Sequence, residues 1–553
     1  MFSFSLCSAA LALVPLSYAL SSQDQTPLHE VDHSPFTSDF DKSVVRLMNN
    51  WHVPGLAIAI VNGNETYSKG YGISLYPYFE IDPSTLFYTG STTKAFTSAA
   101  LTLLMEESSN SSDPLTWRTP ISSIIRDDFV LPDVYATAHV TLEDAASHRT
   151  GMPRHDSSYG GLNYSLRDVV RNLRHLPITA ELRVRFQYCN LMYMTLAHVI
   201  EVLTGSWFGD VLWDRIWKPL HMIRTYSSFS QAQLAVHNGA AQLSAGHVWN
   251  NQSQKYIPVE WMKIPFDSGA GNVISNVLDY AKWLRFLMNQ APPLSKAGHM
   301  TLRHPRTILD DNHFPGFTGI SAYALGWNVE NYRGEPLISH DGGVPGFAAK
   351  IGYLPNRNYG IAMMGNTLGS SIIVQTILFH QLLDNYLDVP VKDRGDIGAL
   401  LENTIIKPKV QQLRDPIKAL YPDAPTGKAA IPLSLPLQNY TGTYYNDGYY
   451  DITITLVAQP DQQQPQRPHL RSVVDRTWPY TFDFIHVSGE YFIAKGQMSS
   501  SDAEVDPTDP FEVQIAKAEF RLGEDGAIAA FGVAVEPEMK GEKIWFRRVK
   551  DAA

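Results

Sequence analysis

The sequence predicts a mixed α/β fold of the α+β type, followed by a separate all-β module. Residues 55–61 form an apolar run typical of a buried strand, and Asn62-Gly63 is a hairpin turn signal leading into a second strand. Residues 115–220 carry mostly helix and loop signals. From Thr441 onward, apolar and polar residues alternate in short runs, which indicates a barrel or sandwich of about eight strands.

Length and composition limit the possible functions. A chain of 553 residues is long enough for two or three domains, and 44% hydrophobic residues supply ample core. The net charge of −11 argues against nucleic-acid binding. No stretch after the amino terminus is apolar and long enough for a membrane span.

The amino terminus predicts secretion. Residues 1–19 contain an apolar run and end in Ser17-Tyr18-Ala19, small residues suited to signal-peptide cleavage. Cys7 would leave with the signal, so Cys189 would remain alone and no disulfide framework is expected. Candidate glycosylation sites follow the Asn-x-Ser/Thr pattern, and they are Asn64, Asn110, Asn163, Asn251 and Asn439.

The segment Gly90-Ser91-Thr92-Thr93-Lys94 carries the strongest chemical signal. It follows a short strand-like run and opens an apolar helix, so that Ser91 and Lys94 share one helical face. A serine hydroxyl needs a base to become a nucleophile. Burial and the positive end of the helix dipole would lower the pKa of Lys94 and make its amine that base. The alternative is that Ser91 caps the helix and Lys94 is solvated.

Two later segments could complete such a site. Tyr188 and Asn190 are one residue apart on a turn, where a tyrosine beside an amine could transfer protons and an amide could orient a substrate. In isolation, the pattern favours the alternative of a core tyrosine and a helix-capping Asn190. The segment 339–347 holds His340, Gly342 and Gly343, where glycines allow a close backbone approach and an N–H could bind an oxyanion. The alternative for His340 is a turn histidine.

A polar cluster and a metal-like pattern require separate interpretation. Arg154, His155 and Asp156 follow a Gly/Pro turn, and either line a cleft or hold their loop in place. His29 and His33 match the zinc-protease pattern His-Glu-x-x-His, but prolines bracket them and no apolar helical face is present. We therefore predict no metal and no cofactor.

Together these motifs resemble one known family. Three motifs have the order and rough spacing that are typical of this family, namely Ser91-x-x-Lys94, Tyr188-x-Asn190 and His340-x-Gly342. The flanking segments 87–96, 147–153 and 269–271 resemble family blocks as well. The family is that of the serine β-lactamase-related proteins, which includes class C β-lactamases, penicillin-binding DD-peptidases and esterases. The resemblance covers residues 36–387.

The resemblance implies a fold and a set of roles. The fold would be an antiparallel sheet flanked by helices and packed against a helical lobe, with the site between them. Ser91 would be acylated, Lys94 and Tyr188 would share the acid–base work, and Asn190 would position the substrate. The backbone N–H groups of Ser91 and Gly343 would form the oxyanion hole. His340 stands where β-lactamases carry a lysine, which resembles the esterase and peptidase branches instead.

The expected domain order follows from these features. We predict a signal peptide over 1–19, a flexible terminus over 20–35, a hydrolase domain over 36–388, a linker over 389–432 and a C-terminal β module over 433–553. That module resembles the lipocalin-like appendages of some penicillin-binding-protein and D-aminopeptidase relatives.

The predicted function is that of a secreted serine hydrolase acting through an acyl-enzyme on a small ester, lactone, amide or peptide. Acyl transfer in secondary metabolism is the enzymatic alternative, because the choice of water or another acceptor depends on the shape of the cleft. A non-catalytic binding protein that keeps the fold is the third possibility. The sequence makes no prediction of the oligomeric state.

Overall fold

The computed structural model describes residues 34–549 except 162, 263–268, 310–313, 426, 458–467 and 498–505. The signal-peptide and His29/His33 interpretations therefore lie outside the described residues. Within the described part of the chain, no helix is long and apolar enough to cross a membrane. The same residues contain no group of three or more His, Cys, Asp or Glu that could hold a metal ion.

A nine-stranded sheet forms the centre of the N-terminal part, and every pairing in it is antiparallel. In spatial order its strands are Phe79–Glu80, Glu65–Leu75, Gly55–Asn62, Tyr359–Gly365, Phe347–Leu354, Glu335–Val344, Asn328–Tyr332, Ala322–Tyr323 and Thr307–Ile308. Strands from both ends of this region meet at the centre, because Leu56 pairs with Gly365. The strand Glu335–Val344 of this sheet carries His340 and passes close to the turn that carries Ser91.

The sheet is covered on both faces. The strand Gly55–Asn62 is buried along almost its whole length, with successive side chains entering different cores. Leu56, Ile58 and Ile60 join the core beneath the helices Ser38–Asn50 and Gly369–Tyr386. Ala57, Ala59 and Val61 join the larger core on the opposite face, which extends into the helical lobe. This explains why the strand has an unbroken apolar sequence.

The helical lobe packs around two long helices, Thr93–Ser108 and Asn190–Thr204, which are buried over residues 93–105 and 191–200. The other helices of the N-terminal part are Ile121–Ile124, Val134–His139, Leu142–Ala146, Leu166–Asn172, Phe208–Leu212, Phe229–His237, Val277–Asn289 and Lys296–Leu302. Two small antiparallel pairs complete this region, Phe87–Tyr88 with Ile274–Ser275 and Gly246–Asn250 with Lys255–Val259. Thr141 caps the helix Leu142–Ala146, since Thr141 and Asp144 form a reciprocal capping box.

The C-terminal part is a closed barrel of eight antiparallel strands. They are Gly442–Asn446, Tyr450–Val457, His469–Val474, Tyr480–Ser488, Tyr491–Gln497, Val513–Leu522, Ile528–Val533 and Ile544–Arg548. The first and last strands pair with each other, so that no sheet edge is left open. Aromatic rings pack together in its interior, with Phe520 in contact with Phe492 and Phe531. The prediction of a mixed α/β domain followed by an all-β barrel is confirmed.

The segment between these parts contains the helices Ile397–Leu401, Lys407–Arg414 and Pro416–Leu420. The barrel docks directly on the helical lobe. The Thr477 hydroxyl donates to the Gly160 carbonyl at 2.7 Å, and the His155 N–H donates to the Glu536 carboxylate at 2.6 Å. Thr477, His155 and Glu536 are all buried, so the contact excludes water.

The buried histidine His380 leads to a prediction about pH and stability. Its Nδ1 donates to the Thr376 carbonyl at 2.7 Å among the rings of Phe317 and Tyr332. Burial lowers the pKa of His380 from 6.5 to about 4. Between these pH values the unfolded chain binds the proton and the folded chain does not, so the free energy of unfolding falls as the pH is lowered.

Replacing this imidazole with an aromatic ring that cannot be protonated should remove the effect. In His380→Phe, the loss of stability between pH 6.5 and about 4 is expected to be smaller by up to about 3 kcal/mol. Urea unfolding at several pH values measures it. His139→Phe, at an exposed histidine, is the matched control and should keep the wild-type slope. The same slope in both variants would contradict a neutral buried His380.

Candidate active site

Ser91 lies in a tight turn rather than at a helix N-cap. The segment Gly90–Thr92 is a 3₁₀ turn, and the α-helix Thr93–Ser108 begins directly after it. Gly90 has a φ of +52°, a left-handed conformation that glycine adopts without strain. The Thr92 hydroxyl donates to the Thr89 carbonyl at 2.9 Å, and the Thr93 hydroxyl donates to the Gly90 carbonyl at 2.7 Å. These bonds hold the turn that presents Ser91.

Lys94 is fully buried beneath this turn, with its amine against the serine. Its Nζ lies 3.1 Å from Ser91 Oγ. It also donates to Asn190 Oδ1 at 2.7 Å and to the Ala270 carbonyl at 2.9 Å. Asn190 and Ala270 come from distant segments of the chain, so the fold fixes the amine from three sides. The interpretation of Lys94 as a solvated side chain is therefore wrong.

Tyr188 and Asn190 reach the same amine from the start of the second buried helix. Asn190 is the first residue of the helix Asn190–Thr204, and Tyr188 precedes it in extended chain. The centroid of the Tyr188 ring lies 4.7 Å from Lys94 Nζ. The same ring lies 4.9 Å from the guanidinium carbon of Arg154 on another segment. The Tyr188 ring therefore packs against the side chains of both Lys94 and Arg154.

His340 lies in the site as a neutral, hydrogen-bonded imidazole. Its ring centroid is 6.5 Å from that of Tyr188. Nδ1 donates to the Asp341 carbonyl at 2.6 Å, so Nε2 is the acceptor for the Tyr323 hydroxyl at 2.8 Å. Burial, together with the positive charge of Lys94, lowers the pKa of His340 to about 4. The imidazole therefore stays uncharged at neutral pH.

Gly342 and Gly343 allow the strand Glu335–Val344 to pass directly beside the Ser91 turn. A Cβ atom at Gly342 would lie 2.0 Å from the Thr89 carbonyl oxygen and 3.1 Å from the Ser91 nitrogen. A Cβ atom at Gly90 would lie 2.5 Å from the Gly343 nitrogen. These neighbours are backbone atoms and cannot give way as a flexible side chain can. The close approach places the two N–H groups expected of an oxyanion hole, those of Ser91 and Gly343, on adjacent segments.

Sequence reasoning missed His148, which lies fully buried at the back of the site. Its Nδ1 accepts the Cys189 N–H at 3.0 Å, and its ring lies 4.3 Å from that of Tyr188. Burial and the charge of Lys94 hold the pKa of His148 well below its usual range. A neutral His148 therefore supports the Tyr188 segment from behind. The available signal is its place in the segment 147–153, which resembles a family block.

The polar cluster after that segment also contributes to the site. Asp156 Oδ1 accepts Asn190 Nδ2 at 3.2 Å, and its Oδ2 pairs with Arg154 Nε at 2.7 Å. Asp156 thus orients the amide that holds Lys94. The cluster therefore does both things that the sequence allowed. The Arg154–Asp156 pair holds the loop, and the same two residues line a cavity.

Residues 40–374, more than half of the chain, match the Beta-lactamase family model. This chain belongs to the Beta-lactamase family. Residues 426–548, which include the barrel, match a model described as a domain of unknown function, DUF3471. Two curated relatives are named unguisins hydrolase. That from Aspergillus campestris is 38% identical over 94% of this chain and 93% of its own, and that from Aspergillus violaceofuscus is 35% identical over 94% and 91%.

Solved structures of low sequence identity share the fold. The octameric penicillin-binding protein homologue from Pyrococcus abyssi aligns over 92% of this chain and 99% of its own, at a TM-score of 0.54 and 18% identity. The D-amino acid amidase from Ochrobactrum anthropi aligns over 64% of this chain and 98% of its own, at a TM-score of 0.52 and 20% identity. The family and its named hydrolases identify the chain as a serine hydrolase.

Proposed function

We propose that this Beta-lactamase family member hydrolyses an amide or ester bond through an acyl-enzyme on Ser91. The observation that carries the proposal is the 3.1 Å contact between Ser91 Oγ and the buried Lys94 Nζ, which Asn190 and Ala270 hold in place. A nucleophile within hydrogen-bond reach of a base that a third group orients is the arrangement that acyl transfer requires.

The proposed reaction has two halves. In the first, Ser91 Oγ attacks the carbonyl carbon while its proton passes to the neutral amine of Lys94. The backbone N–H groups of Ser91 and Gly343 stabilise the oxyanion. The Lys94–Tyr188 pair then protonates the leaving group as the bond to it breaks. In the second half, water attacks the acyl-Ser91 ester, the same pair takes its proton, and Ser91 regains a proton as the acid departs.

The names of similar proteins support an amide substrate. The relatives that align over almost the whole chain are named hydrolases of unguisins, and a structural neighbour is a D-amino acid amidase. We therefore propose a small amide or peptide as the natural substrate, with activated esters as convenient probes.

Secretion is also part of the proposal. The small residues that end the segment 1–19 support its removal as a signal peptide. The five candidate glycosylation asparagines are all exposed, which is compatible with modification in the secretory pathway.

Intact-mass spectrometry of the protein incubated with a p-nitrophenyl acyl ester tests the proposal. We expect a transient mass gain of one acyl group, which proteolysis and peptide sequencing locate on Ser91. The same spectrum reports whether the chain begins after residue 19. An acyl group on another side chain, or turnover without any adduct on rapid quenching, would contradict an acyl-Ser91 intermediate. A product ester formed in preference to the free acid when an alcohol is added would instead favour acyl transfer.

A further inference from the structure

The open end of the barrel encloses a cavity together with the catalytic part of the chain. The cavity has a volume of about 450 Å³. That is within the range of roughly 300–1,000 Å³ that is common for small-molecule sites. On the catalytic side it is lined by Arg154, Asp156, Gly343 and Leu368. On the barrel side its lining includes Trp478, Phe482, Ala494, Gly496 and Ala516.

Small residues on the barrel strands leave room for this cavity. Ala494 and Ala516 pair across neighbouring strands, and Gly496 pairs with Phe482 on the other side. Ala494 and Gly496 alternate in phase with Phe492, and Ala516 with Phe520, so these small residues share the interior face with the packed rings. An eight-stranded barrel is just wide enough to be filled by its own side chains or to hold one small ligand. Here small side chains among the aromatic ones leave a space at the end that faces the catalytic part.

The cavity is lined by two residues that neighbour the proposed reacting groups. Gly343 lines it and lies beside the Ser91 turn, as the close approach to Gly90 shows. Arg154 also lines it, and its guanidinium lies over the ring of Tyr188. The Arg154 side chain is 43% accessible although it lies between the two parts of the chain, because it lines this cavity. A group bound in the cavity would therefore contact the same residues that position the catalytic tyrosine.

The charges that face the cavity are balanced within the protein. Arg154 is paired with Asp156 at 2.7 Å. His155 is neutral, because burial lowers its pKa to about 4. Glu536 accepts the N–H groups of His155 and Glu538, and burial raises its pKa. Among the described lining residues, the one cation already has a carboxylate partner, so a substrate carboxylate would enter a neutral or negative site without a counter-ion.

From this cavity we infer that the open end of the barrel, with Arg154 and Asp156 beneath it, is the recognition chamber for the substrate of Ser91. The chamber accepts an uncharged acyl or peptide group with aliphatic or aromatic side chains and excludes a free carboxylate. Arg154, whose Nε is bound to Asp156, offers its terminal N–H groups to a substrate carbonyl. This inference rests on the proposed function, because it specifies the substrate class of the same site.

Three p-nitrophenyl esters test the inference: the acetate, the octanoate and the mono-ester of suberic acid, which matches the octanoate in length but ends in a carboxylate. For the wild-type enzyme, we expect kcat/KM for the suberate to be at least about tenfold below that for the octanoate. Equal values for the two would overturn the exclusion of carboxylates.

Tryptophan substitutions test the location of the chamber. Ala516→Trp narrows it, and Gln514→Trp does so from an exposed lining position that tolerates a large side chain more readily. In both variants we expect kcat/KM for the octanoate to fall at least about tenfold, while that for the acetate changes less than about twofold. Val473→Trp, on the outer face of the same barrel, is the matched control and should behave as wild type.

The outcomes separate this inference from the proposed function. If the wild-type enzyme turns over none of the esters and forms no adduct, the proposed function fails and the chamber inference fails with it. If it turns over acetate and octanoate, and the two lining variants retain the wild-type ratio between them, only the chamber inference is overturned. An equal loss in Val473→Trp would also overturn it, since the effect would then come from disturbance of the barrel.

Discussion

Replacing Ser91 with alanine is expected to lower kcat/KM at least about 10⁴-fold, because removal of the nucleophile leaves only binding and oxyanion stabilisation. The change should not unfold the protein. Lys94 keeps its bonds to Asn190 and Ala270, and the threonine hydroxyls still hold the turn. Hydrolysis of a p-nitrophenyl ester, followed by absorbance, measures the loss.

The matched control is Ser108→Ala at the far end of the helix that begins after Ser91. It removes a hydroxyl that bonds only locally, to the Met105 carbonyl and the Leu115 N–H, and should retain wild-type kcat/KM. Activity of Ser91→Ala within about tenfold of wild type would show that another group is the nucleophile, since even loss of general acid–base help costs more.

Replacing Lys94 with methionine is expected to slow acylation by roughly 10³-fold, the scale of a lost general base. Methionine fills much of the same buried volume but cannot accept the Ser91 proton. The carbonyl of Ala270 and the amide oxygen of Asn190 lose their donor, so the free energy of unfolding should also fall by about 1–3 kcal/mol for each. Stopped-flow release of p-nitrophenol under conditions where the variant is folded measures the acylation rate.

Lys69→Met separates the loss of this base from the loss of any partly buried lysine. Lys69 lies on the strand Glu65–Leu75, away from Ser91, and pairs at 2.7 Å with Asp41 of the first helix, Ser38–Asn50. Its replacement should leave the acylation rate unchanged. An acylation rate in Lys94→Met close to wild type would remove Lys94 from the proton-transfer role and leave it a positioning one.

The sequence predicted local structure wherever the hydrophobic pattern of a segment agreed with the turn residues at its ends. The apolar run and the Asn62-Gly63 turn predicted the first hairpin, and the alternation from Thr441 onward predicted the strands of a barrel or sandwich. The helix after Ser91 and the helix after Asn190 were both expected. These features depend on neighbours along the chain, which periodicity and turn chemistry report directly.

The site was predicted less completely. The motif residues were identified, but the bonds that Ala270 and Tyr323 make with them, and the contact of His148 with Tyr188, were not. Asp156 illustrates the reason. Its carboxylate is typical of a loop, and only the packing of that loop against the helix Asn190–Thr204 makes it the residue that orients Asn190.

By itself, the sequence determined the fold class, the order of the two folded parts and the identity of the serine and lysine that share a helical turn. The tertiary structure alone decided that Lys94 is buried, that His340 is bonded to Tyr323, and that the barrel shares a cavity with Arg154 and Gly343. The His155–Glu536 bond at that junction spans 381 positions of the chain. Periodicity states which face of a segment is apolar, but which faces meet is decided by the packing of the whole molecule.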